Sequence, residues 1–88
     1  MINYESLVRI LKNGGFRESN SVTEENGTKF VDFTSRINRR VIYTAILNPK
    51  YPGTAEKLLK TDVATATNNT PKPVIVSGLA ELKKLLNL

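Results

Sequence analysis

Seven consecutive residues, Val41-Ile42-Tyr43-Thr44-Ala45-Ile46-Leu47, limit what this chain can become more than any others. β-Branched and aromatic side chains suit a pleated, half-buried backbone. Alternation along a strand puts Val41, Tyr43, Ala45 and Leu47 on one face and Ile42, Thr44 and Ile46 on the other. A strand apolar on both sides calls for a central place in a sheet, or for a partner on its second face.

The residues before it supply neighbours. Phe16–Ser35 reads as a hairpin around Asn26-Gly27, the dipeptide best suited to a two-residue type I′ turn. That turn would set Glu24 opposite Lys29, Thr23 opposite Phe30 and Val22 opposite Val31, with the charge pair supporting the register. Val22, Val31 and Phe33 then share the core face, and Phe30 lies on the other. The polar first strand, with Glu18, Ser19, Asn20 and Ser21, reads as an edge.

Helical periodicity appears at three places. Asn3 can cap a helix whose apolar stripe is Tyr4, Leu7, Val8 and Leu11, and Gly14-Gly15 would end it. Thr54 can cap a second helix over 55–66, with Ala55, Leu58, Leu59 and Val63 as its stripe. After a flexible connector at 66–73, rich in Thr, Asn and Pro, "VIVS" predicts a short strand. The last helix follows, with Ser77 as cap and Leu79, Leu82, Leu85 and Leu86 inward.

The expected fold class is thus α+β, in the order α-β-β-β-α, with a three-stranded antiparallel sheet and helices on one face. Residues 1–65 form the core unit, 66–73 the linker, and 74–88 a β-α element that packs on the core or on a second copy. Across residues 4–65 this element order resembles the double-stranded-RNA-binding topology and the HicA-type toxin fold. The resemblance implies a topology and not the functions. A HicA-like enzyme would carry Gly-Ser-His where this chain has Gly27-Thr28-Lys29, and the second helix lacks the lysine cluster of an RNA-binding module at its start.

Length bounds the rest. Eighty-eight residues make one small domain with an economical core. No apolar run is long enough for a signal peptide or a membrane span, so the expectation is a cytoplasmic protein with no membrane partner.

Histidine and cysteine are both absent, which removes the commonest general base, the thiol nucleophile and the usual transition-metal ligands. A Ser-His-Asp triad is impossible. No phosphate-binding loop, dinucleotide fingerprint or calcium loop occurs. Glu24 and Glu25 belong to a turn open to water, and Asp32, between apolar neighbours, reads as pointing outward. The expectation is a non-enzymatic protein with no catalytic residues, metal site or cofactor.

What remains is charge. Thirteen Lys and Arg against eight Asp and Glu leave a formal +5, which favours acidic partners such as DNA or RNA. Arg36, Arg39 and Arg40 crowd the connector between the second and third strands. Guanidinium groups at one hairpin tip could reach successive phosphates, with Lys29 in support and Tyr43 or Phe30 as stacking surfaces. The plainer reading is that these arginines keep a connector soluble beside a sticky strand.

Two functions follow as expectations. The first is a small accessory protein that binds nucleic acid, or a complex bearing it, through Arg36, Arg39, Arg40, Lys29 and Tyr43. The second is a protein-interaction module, of the phage- or plasmid-adaptor or inhibitor kind, using the sheet face of Phe30, Ile42 and Ile46. An exposed apolar face favours the second, and a helix-covered face with a continuous basic strip the first. Either is compatible with a monomer or a homodimer.

Overall fold

A computed structural model of the chain describes residues 1–63 and 72–88. The elements are β1 (Ile2–Asn3), α1 (Tyr4–Asn13), β2 (Phe16–Thr23), β3 (Lys29–Ser35), β4 (Val41–Leu47), β5 (Thr54–Ala55), β6 (Lys57–Asp62), β7 (Val74–Val76) and α2 (Leu79–Leu85). Five strands form one antiparallel sheet in the order β2-β3-β4-β6-β7, and β1 pairs with β5 beside it. The α+β class stands, but the sheet has five strands where three were expected.

α1 forms for the reasons its sequence states. The Asn3 side chain accepts a hydrogen bond from the Ser6 N–H at 2.9 Å, and Leu7, Ile10 and Leu11 are buried along one stripe. At the other end the Gly14 N–H donates to the Ile10 and Leu11 carbonyls. A side chain at Gly14 would place its Cβ 2.9 Å from Leu86 Cδ1, so glycine there lets the chain's last turn pack closely.

β6 corrects the expected second helix, and with it the α-β-β-β-α order and the resemblance built on that order. Leu58 and Leu59, read as one helical stripe, point to opposite faces of a strand. Leu58 pairs with Ala45 and is buried, while Leu59 pairs with Thr44 on the other side. The physical reason lies in β4. Its second edge carries backbone donors and acceptors beside an apolar strand, and a neighbour must satisfy them. A strand over Lys57–Asp62 does so, whereas a weak, threonine-bearing helix would leave them open.

The β2–β3 hairpin is also one residue out from the expected register. Thr23 pairs with Lys29, Val22 with Phe30 and Ser21 with Val31. Glu24 N–H donates to the Thr28 carbonyl, and Gly27 N–H to the Glu24 carbonyl. Gly27 takes φ +90°. This is a three-residue loop ending in a left-handed glycine, the next commonest hairpin solution after the two-residue turn. A one-residue slip exchanges the faces of a strand. Val22 is therefore not in the core but 54% exposed on the other side. An irregularity between Glu18 and Asn20 shifts the pairing once more.

Both helices pack on one face, over Phe16, Val31, Phe33, Val41, Tyr43, Ala45, Leu58 and Val76. The Phe16 and Tyr43 rings meet edge to face at 5.1 Å. β7 pairs with β6, and Leu82 of α2 is fully buried in the same cluster, so residues 74–88 complete the core of their own chain. Ser77 does not cap α2 by accepting a bond. Instead its N–H and its hydroxyl both donate to the Glu81 carboxylate. The connector expected at 66–73 lies mostly outside the described residues.

The other face of the sheet carries no helix among the described residues. Asp32 lies at its centre, accepting a 2.6 Å hydrogen bond from the Thr44 hydroxyl. Phe30, Ile42, Ile46 and Leu59 are half-buried around that pair, and Ile75 on the last strand is 61% exposed. Among the described residues, no helix is long and apolar enough to cross a membrane.

Candidate nucleic-acid interface

β3 and β4 are joined by residues 36–40, Arg-Ile-Asn-Arg-Arg. Strand pairing cannot fix so irregular a piece, and its own polar side chains do so. Ser35, the last residue of β3, is buried, and its hydroxyl oxygen accepts from the N–H groups of Ile37 at 3.1 Å and Asn38 at 3.3 Å. The Asn38 side chain accepts from the Arg40 N–H at 3.3 Å. The Arg40 carbonyl accepts from Val63 N–H at 2.7 Å, tying the connector to the end of β6. Short polar side chains that bond backbone one to three residues on are the usual means of shaping a turn.

That backbone holds the side chains outward. Arg36, Arg39 and Arg40 are all exposed, and among the described residues no carboxylate lies within ion-pair distance of any of them. Asp62 stands near the base of the tip, opposite Val41. Each guanidinium offers five N–H donors in a planar fork that matches phosphate and carries its charge at any physiological pH.

The other expected contributors are elsewhere. Lys29 sits at the opposite end of β3, about 20 Å from the connector at the strand rise of about 3.4 Å per residue. There it lines a pocket of 220 Å³ with Tyr4, Leu47, Pro49 and Tyr51. Tyr43 is 1% exposed beneath the helices, and burial pushes its phenol above the ordinary value. Its ring is committed to Phe16, so it offers no face to a base. Phe30 does face outward, but at the Lys29 end of the strand.

Two residues join the tip that the sequence did not single out. Arg17 of β2 pairs with Thr34, two positions from Arg36, and is exposed. Finding it needed the true pairing, since its place beside Thr34 depends on the shift between Glu18 and Asn20. Ile37 is 96% exposed, second in the basic connector. Its signal was legible: an apolar residue inside an otherwise polar five-residue bend.

Among the described residues, no cluster of three or more His, Cys, Asp or Glu side chains could hold a metal ion. What the arrangement can do is present exposed positive charge, on a held backbone, to an anion. No protein-family model matches the chain, and no curated protein or solved structure matches it either.

Proposed function

We propose that this chain is a small non-enzymatic accessory protein that binds nucleic acid through the β3–β4 connector, with Arg36, Arg39 and Arg40 holding phosphates and Arg17 adding to their field. One observation carries the reading: three exposed arginines without a carboxylate partner among the described residues stand on a backbone fixed by Ser35 and Asn38. Arginines that merely keep a turn soluble do not need a shaped turn. A preformed loop also loses less entropy on binding than a floppy one. Lys29 and Tyr43 have no part in this interface.

The test is a salt titration of binding to duplex DNA, single-stranded DNA and RNA by fluorescence anisotropy. Replacing the three arginines by alanine should abolish binding at physiological salt. It should also flatten the log–log salt slope by about 3, close to one unit for each phosphate that is no longer neutralised. Equal affinity for the variant and the parent, both shown folded by circular dichroism, would reject the reading.

A second reading has its own observation. The sheet face of Phe30, Ile42 and Ile46 is covered by no described element, and the exposed Val22 and Ile75 extend it toward both edges. A helix over that face, expected if nucleic acid were the sole partner, is missing among the described residues. An adaptor or inhibitor would dock there by apolar burial, so its binding would resist salt and fail in Phe30→Ser.

A further inference from the structure

We propose that Ile37 is a wedge, which the arginine tip drives from the minor-groove side between stacked base pairs of duplex DNA, bending the duplex. This rests on the phosphate-binding reading of the same tip and names its substrate.

Ile37 is the most exposed large apolar residue among those described, at 96%. A lone exposed isoleucine is ordinary on a protein surface. This one differs in two ways. The backbone that carries it is held, because its N–H and that of Asn38 both donate to the buried Ser35 hydroxyl. It also lies between cations, with Arg36 before it and Arg39 and Arg40 after it. Stacked base pairs are an apolar slot walled on both sides by phosphates, and a wedge residue with arginines on either flank matches that alternation. Proteins that kink duplexes use apolar side chains of this kind, set among basic ones, at the minor groove.

Shape agrees. The minor groove is about 6 Å wide, too narrow for a two-stranded ribbon, which fits the major groove of about 12 Å. A five-residue bend at the end of the ribbon is slimmer than the ribbon itself. A bilayer fits less well. Even a whole myristoyl chain gives only marginal membrane binding, and one isoleucine buries far less. The neighbours Asn38 and Arg39 add no apolar surface to it.

The experiment uses the full chain and a duplex of about 25 base pairs labelled at both ends, with a central TA step, which kinks readily. Energy transfer reports bending and anisotropy reports binding. Expected results are a bend of about 20–90° with the parent protein, a free-duplex end-to-end distance with Ile37→Ala despite an unchanged salt slope, and recovery of the bend in Ile37→Leu. A variant this exposed should fold normally. Binding without bending, or equal bending by Ile37→Ala, overturns the wedge and leaves phosphate binding standing. Binding confined to RNA or single strands does the same. No binding to any nucleic acid overturns both, and capture by anionic phosphatidylserine vesicles instead would assign the tip to membranes.

Discussion

β3 has a turn at each end, and the two are opposites. The turn before it, Glu24–Thr28, carries two glutamates; its Asn26 side chain accepts from the Thr28 N–H at 3.0 Å, and a Cβ at Gly27 would come within 3.0 Å of Pro49. The turn after it carries three arginines and is shaped mainly by its own side chains, Ser35 and Asn38. One is negative and touches the molecule at Pro49; the other is positive and is tied to the end of β6 through the Arg40 carbonyl. Seven strand residues separate them, so β3 spaces two charge clusters by more than the Debye length of about 8 Å at physiological salt. A turn that presents its side chains must be fixed from within.

The comparison can be broken most forcefully at the packed turn. Gly27→Val puts a β-branched residue at φ +90° and crowds Pro49. It should cost about 2–3 kcal/mol in urea unfolding, while the folded fraction keeps its full affinity for DNA. Loss of affinity per folded molecule would mean the two ends are coupled.

At the presented turn, Ser35→Ala removes the acceptor for two N–H groups and should cost about 1–2 kcal/mol. Hydrogen exchange of the Ile37 and Asn38 amides should speed up, and binding should weaken even though every arginine remains. Unchanged exchange would show that the loop does not depend on Ser35.

A smaller effect is expected from neutralising the acidic end. With Glu24→Gln and Glu25→Gln together, affinity for DNA at physiological salt should move less than about twofold, because screening separates the ends. A larger rise would show that the glutamates reach the bound polyanion.

The least effect concerns a group outside both turns. Hydrogen bonds from the Ser77 hydroxyl and N–H hold the Glu81 carboxyl below its ordinary value, helped by Lys84. A depressed folded value stabilises the protein above the unfolded-state pKa, and that contribution disappears as pH falls through the folded one. Acidification below the ordinary glutamate range should therefore fray the start of α2, seen as a moving Ser77 amide resonance. Glu81→Gln should remove the pH dependence, and the two turns should give no matching response.

How much of this was readable beforehand varies with the physics of each segment. α1 was legible because its cap, its stripe and its terminating glycines agree. β4 was legible because alternation, β-branching and length agree. β6 was not, since Leu58-Leu59 fits a helical stripe and a two-faced strand equally well, and only the open edge of β4 decides between them. Asn26-Gly27 announced a turn without fixing its loop length, so Val22 was assigned to the wrong face. Of the candidate site, the arginine cluster could be read directly, being local. Tyr43 was misjudged for a different reason: alternation names two faces but not which one the helices will cover. Lys29 was placed with the arginines as lying on the neighbouring strand, although it stands at that strand's far end.

Leu82 enters the core from the last helix, beside α1 side chains such as Leu7 and Leu11, which are made more than seventy residues earlier. During synthesis the first helix can pack on the early strands, but its α2 side stays uncovered until that later segment emerges. The hairpins between them can form meanwhile, but α1 gains its full cover only once residue 82 has emerged. Removing α2 would therefore be felt first at α1.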